Sequence, residues 1–229
     1  MSTAADFYQT IRESNVIKYG TEFKKILNII INQYSDRTHF IYEILQNAED
    51  AGATYIKFHL EKNQLVIIHN GRPFNEEDIT GVCGIADGTK SDGTRIGHFG
   101  IGFKSVYCYT ERPRIYSGKY CFVIKDQLFP EEIPSRKGVA FEETCMVLPF
   151  DKSDVLPEVA FLEIKTALTK KITAESILVL NNISDIEIKS VDYANIIEIS
   201  KEKYPLDKAT FPDNVFSLSL RTKIGRAHV

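Results

Sequence analysis

Residues 95–108 read RIGHFGIGFKSVYC, and this stretch decides how the rest of the chain is interpreted. Gly97, Gly100 and Gly102 fall within six positions, and a run of helical composition follows from Phe103. Glycine this dense leaves the backbone open to close approach by a ligand. The stretch matches neither the phosphate-binding pattern GxxxxGK(S/T) nor a dinucleotide fingerprint placed after a first strand. It predicts a phosphate loop of another kind, leading into a helix.

The glycine-rich stretch ends a longer segment, residues 81–102, that holds seven of the chain's 13 glycines. Thr, Ser and Asp fill many of the other positions, and large apolar side chains are few. Long segments of this kind inside a compact domain are usually functional loops. We therefore predict a long binding loop here.

An acidic face marks the predicted helix FIYEILQNAEDA, residues 40–51. At about 100° per residue, Glu43, Asn47 and Asp50 lie within a stripe of roughly 60°. Residues 40–53 contain no Lys or Arg, whereas a solvated face usually mixes charges of both signs. Carboxylate and amide oxygens are the ligands that a hydrated magnesium ion takes together with phosphate oxygens. The helix alone leaves two alternatives open, a magnesium and nucleotide site or an ordinary acidic surface.

The order of the periodic segments predicts an α+β fold. Helical spacing, cap residues and strand alternation place several helices first, then hairpins, then strands with one more helix. The predicted helices span residues 5–17, 21–34, 35–51, 103 onward and 154–172; the predicted strands span residues 54–60, 65–68, 144–150, 185–189, 195–200 and 215–220, with a further hairpin around residues 117–118. This order favours a two-layer α/β sandwich, with helices over one face of a mixed, mostly antiparallel sheet.

Composition excludes several functional classes. Hydrophobic residues make up 43% and charged residues 26% of the 229 residues, with a net charge of -3, which is globular composition. Bulk charge therefore directs the protein neither to nucleic acid nor to an anionic membrane. The four cysteines form no CxxC pair, and no apolar run approaches the ~20 residues of a membrane span. We expect a cytoplasmic protein.

Four ordered motifs carry a resemblance to a known family: EILQNAEDA at 43–51, LVIIHNGRPF at 65–74, IGHFGIGFKSVY at 96–107, and Thr144 before a strand. They resemble the ATP-binding domain of the GHKL superfamily, which includes heat-shock chaperones of the ninety-kilodalton class. Within the chaperone branch the chain is most similar to the sacsin-type domain. The resemblance covers roughly residues 20–190 and implies the α+β sandwich of that superfamily.

The resemblance also implies roles for single residues. Glu43 would orient or deprotonate the water that attacks the γ-phosphate, Asn47 would hold magnesium, and Asp50 would lie near the ribose and base. Thr144 would reach the base through its hydroxyl, and Lys90 would lie in a lid over the triphosphate. The other implied nucleotide-binding residues are His69, Asn70, Gly71, Gly97, Phe99, Gly100, Ile101, Gly102 and Phe103.

One departure from the superfamily concerns base recognition. Its DxGxG pattern begins with an aspartate that recognises the adenine amino group, and alignment through Gly71 places His69 there and Pro73 at the second glycine. A neutral imidazole accepts one hydrogen bond, through the nitrogen that lacks a proton. Either Asn70 or a water replaces the carboxylate, or base recognition is weaker.

The combined features predict a magnesium-dependent ATPase with slow turnover, whose lid closure couples nucleotide state to a protein client or a downstream domain. The alternative is a nucleotide-binding scaffold that does not hydrolyse ATP. A histidine kinase is disfavoured, because no dimerising phospho-acceptor helix lies upstream. We expect the ATP-binding domain to span residues 1–180 and a β-rich continuation, cut short, to span residues 181–223. Residues 224–229, IGRAHV, are expected to be a sequencing artefact.

Overall fold

The computed structural model describes residues 3–20, 36–85, 102–192, 195–205 and 216–226. The described helices are α1 (Ala4–Tyr19), α2 (Phe40–Asp50), α3 (Glu76–Cys83) and α4 (Pro157–Lys170), with 3₁₀ segments at Arg37–His39, Gly102–Cys108 and Ala174–Ile177. The described strands are β1 (Tyr55–Glu61), β2 (Gln64–His69), β3 (Arg114–Ser117), β4 (Tyr120–Lys125), β5 (Phe129–Glu132), β6 (Thr144–Pro149), β7 (Asp185–Ser190), β8 (Asn195–Pro205) and β9 (Phe216–Arg226). None of these helices is long and apolar enough to cross a membrane.

The nine described strands form one sheet in the order β5-β4-β3-β6-β2-β1-β7-β8-β9. Every neighbouring pair is antiparallel except β1 and β7, which run parallel. The predicted mixed, mostly antiparallel sheet is therefore confirmed. The long connection from β2 to β6 contains α3, the Gly102–Cys108 segment and the strands β3, β4 and β5. These three strands form the part of the sheet that lies beyond β6.

Alternation along the strands separates two apolar faces. The face that packs against the helices carries a buried row across five strands, formed by Ile188, Phe58, Ile67, Met146 and Ile115. The opposite face holds a smaller cluster of buried residues, Val66, Tyr116, Cys145 and Val147. Because side chains alternate along a strand, each face takes every second residue. The predicted arrangement of helices over one face is confirmed.

The helix-facing side becomes polar one row further along. There the register pairs Ile56 with His69, His69 with Thr144, and Thr144 with Ser117. All four residues are at most 2% exposed. A buried polar row at the end of apolar strands requires internal hydrogen bonds or a ligand, since an unpaired buried polar group is costly.

Several sequence predictions of local structure need correction. The helix expected from Phe103 is a seven-residue 3₁₀ segment, Gly102–Cys108, so it offers phosphates less of the positive end of an α-helix than we expected. The predicted loop at residues 81–102 begins late, because α3 continues to Cys83. Asp36 caps the 3₁₀ turn that precedes α2, by accepting a hydrogen bond from Thr38 N at 3.0 Å. Two elements, α3 and β5, were not predicted. The helix predicted at 21–34 lies outside the described residues, as do the predicted site residues Lys90, Gly97, Phe99, Gly100 and Ile101.

Glu49 fixes the C-terminal part of α2 to the segment that leads into β7. Its Oε1 accepts hydrogen bonds from the backbone N–H of Asn181 at 2.7 Å and of Asn182 at 2.8 Å. Its Oε2 accepts one from Ile183 N at 2.9 Å. Glu49 is only 6% exposed, and hydrogen bonds to a shielded charge are stronger than neutral ones. This carboxylate therefore joins the helix layer to the segment that enters the sheet as β7.

The substitution Glu49→Gln should lower the free energy of unfolding by about 2 kcal/mol, because the amide nitrogen cannot accept and leaves a backbone N–H without its charged partner. Urea denaturation of the purified chain measures this change. Glu142→Gln is the matched control, since Glu142 is exposed and should change stability by no more than about 0.5 kcal/mol. Equal loss in both variants would contradict the role given to Glu49.

Candidate functional site

Glu43 lies in the first turn of α2, and its carboxylate contacts Gly102. A Cβ atom added to Gly102 would lie 1.9 Å from Glu43 Oε2, so only glycine leaves room for this carboxylate. The Glu43 side chain is 33% exposed, so it is partly accessible to water. Of the predicted site residues, Glu43 and Gly102 are thus brought into direct contact.

His39 completes the surroundings of the Glu43 carboxylate. Its Nε2 lies 2.9 Å from Glu43 Oε1, at the i, i+4 spacing that places two side chains on one helix face. His39 lies outside the sequence motifs that predict the site. The signal was the HxxxE spacing itself, which is meaningful only once residues 39–43 are known to be helical.

The turn that carries His39 is anchored on both sides. Lys171 Nζ contacts the Asp36 carboxylate and donates to Thr38 Oγ1 at 2.9 Å. Arg37 donates to Cys108 O at 3.1 Å, and its guanidinium lies 4.9 Å from the centre of the Tyr109 ring. The start of α2 is therefore held between α4 and the Gly102–Cys108 segment, which fixes the position of Glu43.

Asn47 lies one turn after Glu43 on the same side of α2. The residue is 5% exposed, yet its side chain has no hydrogen-bond partner among the described residues. The fully buried polar side-chain atoms that lack a partner in the described part of the chain do not include those of the Asn47 carboxamide, so water reaches this group. An amide held in this way is available to a ligand or to a hydrated cation.

Asp50 lies at the exposed end of the same face. Its Oδ1 accepts a hydrogen bond from Gln46 Nε2 at 3.0 Å. One carboxylate oxygen is therefore occupied within the helix. Glu43, Asn47 and Asp50 do share one side of α2, but their burial differs strongly.

The His69 ring lies in the buried polar row under the C-terminal end of α2. Its Nδ1 accepts a hydrogen bond from Gly71 N at 3.2 Å. Burial lowers the pKa of His69 to about 4, so the imidazole is neutral at pH 7. The neighbouring Thr144 hydroxyl lies 2.5 Å from Ser117 Oγ, which in turn accepts from Phe74 N at 2.8 Å.

The HNG turn is built around close backbone packing. A Cβ atom on Gly71 would lie 2.8 Å from Ala51 Cβ, and Arg72 N donates to Ala51 O at 2.8 Å. Asn70 Oδ1 accepts from the N–H groups of Thr54 and Tyr55, and its Nδ2 donates to Thr54 Oγ1. The Asn70 carboxamide is therefore engaged with the backbone that leads into β1.

An ion pair holds the rest of this turn against α3. Both terminal nitrogens of Arg72 donate to the Asp78 carboxylate, at 2.7 and 3.1 Å. Asn75 and Asp78 form a reciprocal capping box at the start of α3. Most residues of the motif HNGRPFNEED therefore hold the backbone of this turn in place. His69 is the residue of the motif that lies in the buried polar row. Phe103, which follows Gly102 in the 3₁₀ segment, is buried in the main core.

The Sacsin domain family model matches residues 20–146, more than half of the chain. Human sacsin is 33% identical over 131 residues, which are 47% of this chain and 3% of sacsin. Protein NO VEIN of Arabidopsis thaliana is 30% identical over 148 residues, which are 53% of this chain and 5% of that protein.

Chaperone protein HtpG of Rickettsia canadensis is 27% identical over 176 residues, 60% of this chain and 28% of HtpG. The chain spans less than a third of the length of each of these relatives. The resemblance that the four motifs carry is confirmed by these matches, and the chain belongs to the Sacsin domain family.

Proposed function

We propose that the chain is a nucleotide-binding module that binds ATP with magnesium and hydrolyses it slowly. The observation that carries the proposal is the carboxamide of Asn47, which has no protein partner among the described residues and lies one helical turn from a carboxylate that touches Gly102. Asn47 supplies a hard oxygen ligand of the kind that magnesium accepts beside phosphate oxygens and water. Magnesium, when bound, would neutralise charge on the triphosphate.

Glu43 is the residue we assign to hydrolysis. A carboxylate that is partly open to water and fixed by neighbours can take a proton from a water molecule as that water attacks phosphorus. His39 holds one carboxylate oxygen at 2.9 Å, and Gly102 leaves space for the other.

The remaining roles follow the family resemblance. Asp50 would bind near the ribose and base, and Lys90, with the backbone of Gly97, Phe99, Gly100 and Ile101, would contact the triphosphate. Closure of residues 81–102 over ATP would couple nucleotide state to a client protein or a downstream domain. The relative named Chaperone protein HtpG supports a chaperone-like use of that coupling. We place the protein in the cytoplasm.

A second candidate is a scaffold that binds nucleotide without hydrolysis. The replacement of the superfamily's aspartate by His69 favours it, because the base end of the site differs from that of the hydrolysing members. The carboxylate of Glu43 and its two fixed neighbours favour hydrolysis. The variants described next distinguish the two candidates.

Glu43→Gln should reduce ATP hydrolysis by about 10²-fold or more, because the amide cannot accept a proton. ATP binding should persist, since the variant keeps the shape of the side chain. Phosphate release measures hydrolysis, and isothermal titration with ATP and magnesium measures binding. Equal phosphate release by the wild type and the variant would exclude the assignment of Glu43, and would favour the scaffold if ATP still binds.

Asp50→Asn should instead weaken ATP binding itself, by about tenfold, because an acceptor carboxylate near the ribose and base is lost. The same titration measures the dissociation constant. Gln46→Ala serves as a control, since it removes the hydrogen bond to Asp50 but keeps the carboxylate. Unchanged affinity in Asp50→Asn would remove Asp50 from the nucleotide site.

Gly102→Ala should displace the Glu43 carboxylate, because the new Cβ would lie 1.9 Å from Oε2. A displacement of about 1 Å in a reacting group can cost on the order of 10²-fold in rate. The fold should survive, since the clash is with the end of a flexible side chain, and thermal unfolding checks this. In the Glu43→Gln background the same substitution should cost nothing further, because the two changes act through one group. Additive losses in that double variant would show that Gly102 acts independently.

A further inference from the structure

Two residues that line one cavity each carry a buried polar side-chain atom without a hydrogen-bond partner. The atoms are the hydroxyl oxygen of Tyr107 and Oε1 of Gln127, and both residues form part of the cavity wall. Tyr107 is only 1% exposed. A buried polar atom without a partner costs free energy, and native structures keep few of them. A ligand in the cavity would supply the missing partners.

The cavity lies away from the buried polar row that contains His69. That row is formed where β3 ends, at Ser117, and where β6 begins, at Thr144. The cavity has a volume of about 530 Å³, within the range of roughly 300–1,000 Å³ that small-ligand sites occupy. Its other walls come from the turn before β3, from the end of β4 and from the chain after β6, and consist of Thr110, Glu111, Arg112, Lys125, Asp126 and Lys152. No predicted site residue in the described part of the chain lines it.

Lys152 is the lining cation whose charge is available to a ligand. Lys125 Nζ lies 2.5 Å from Glu131 Oε2, and Arg112 Nε lies 3.8 Å from Asp151 Oδ2. Lys152 has no ion pair among the residues that the structure describes. With three basic and two acidic side chains, the lining has an excess of one positive charge. A single carboxylate matches this balance, whereas a phosphate dianion exceeds it.

The two unpaired atoms are held on fixed backbone. Lys104, which is 1% exposed, donates to Gln127 O at 2.6 Å and lies 5.7 Å from the centre of the Tyr107 ring. The turn at Gln127 therefore stays against the Gly102–Cys108 segment. A carboxamide oxygen only accepts, so Gln127 Oε1 requires a ligand donor, whereas the Tyr107 hydroxyl can donate or accept.

We propose that this cavity binds the C-terminal end of a peptide. The terminal carboxylate pairs with Lys152, the last peptide N–H donates to Gln127 Oε1, and the Tyr107 hydroxyl donates to the carboxylate. One negative charge beside an N–H donor is what a peptide end presents, and other proteins recognise peptides by this carboxylate. The Gln127 side chain is partly exposed, so its carboxamide can turn toward the ligand. Nucleotide binding at Glu43 and Asn47 is not required for this interaction.

Isothermal titration of the whole chain with N-acetyl-trialanine, with its C-terminal carboxamide and with inorganic phosphate tests the proposal. We expect the free acid to bind about tenfold more tightly than the carboxamide, because only the acid brings a charge to Lys152. Phosphate should bind more weakly than the acid. Failure of the acid to bind, equal affinities of acid and carboxamide, or tighter binding of phosphate would overturn the proposal.

Variants of the cavity wall separate a binding role from a structural one. Tyr107→Phe should weaken binding of the acid about fivefold or more. The same variant should unfold in urea at the wild-type midpoint or above it, because the hydroxyl has no partner to lose. Lys152→Met should remove the preference for acid over carboxamide. Lys137→Met is the control, since Lys137 is exposed and does not line the cavity.

Gln127→Met provides the same test without a change in the core, because it removes the acceptor from a partly exposed side chain. It should weaken binding of both the acid and the carboxamide, since each carries the last peptide N–H. Loss of stability in Tyr107→Phe with unchanged affinity would assign the hydroxyl to the fold and refute its role in binding. Wild-type affinity for the acid in both Gln127→Met and Lys152→Met would show that the peptide binds elsewhere.

Discussion

The position of α2 on the sheet is the constraint on which the rest of the structure depends. At its C-terminal end the buried Glu49 carboxylate accepts three backbone hydrogen bonds from residues 181–183. At its start, Asp36 and Arg37 tie the preceding turn to Lys171 and Cys108. Because both ends are fixed, Glu43 and the end of the helix cannot move independently of each other. The spacing between Glu43 and the turn at Gly71 is therefore fixed by the fold.

The helix uses its acidic residues for different purposes, and sequence spacing alone did not separate them. Glu43 contacts Gly102 and is partly exposed, whereas the Glu49 carboxylate accepts hydrogen bonds from backbone N–H groups. Asp50 is exposed. On a helical wheel Glu49 belongs with the core side, where an unpaired charge would be costly. Its partners lie more than 130 residues away in the chain, so no local pattern could identify them.

Much of the fold was predictable because it depends on local periodicity. The alternation of Ile56, Phe58 and Leu60 and the apolar run of β2 predicted the central hairpin, which the structure confirms. The 3₁₀ form of the Gly102–Cys108 segment was not predictable in this way. All its residues after Gly102 are buried, and Lys104 donates to the carbonyl oxygens of Val82 and Gln127. Tertiary contacts of this kind override the helical preference of the sequence.

The candidate site shows the same division between local and tertiary information. The motif predicted that Glu43 and Gly102 belong to one site, and their contact is what the structure shows. The roles of His39 and Ser117 required the fold, since one depends on helical spacing and the other on the register of β3 with β6. His69 was noted first as a missing carboxylate. In the structure, His69 Nδ1 accepts a hydrogen bond from Gly71 N, so the acceptor nitrogen of the neutral ring is already occupied. What remains on the neutral ring is the Nε2–H donor, in a row whose Ser117 and Thr144 hydroxyls can each donate and accept.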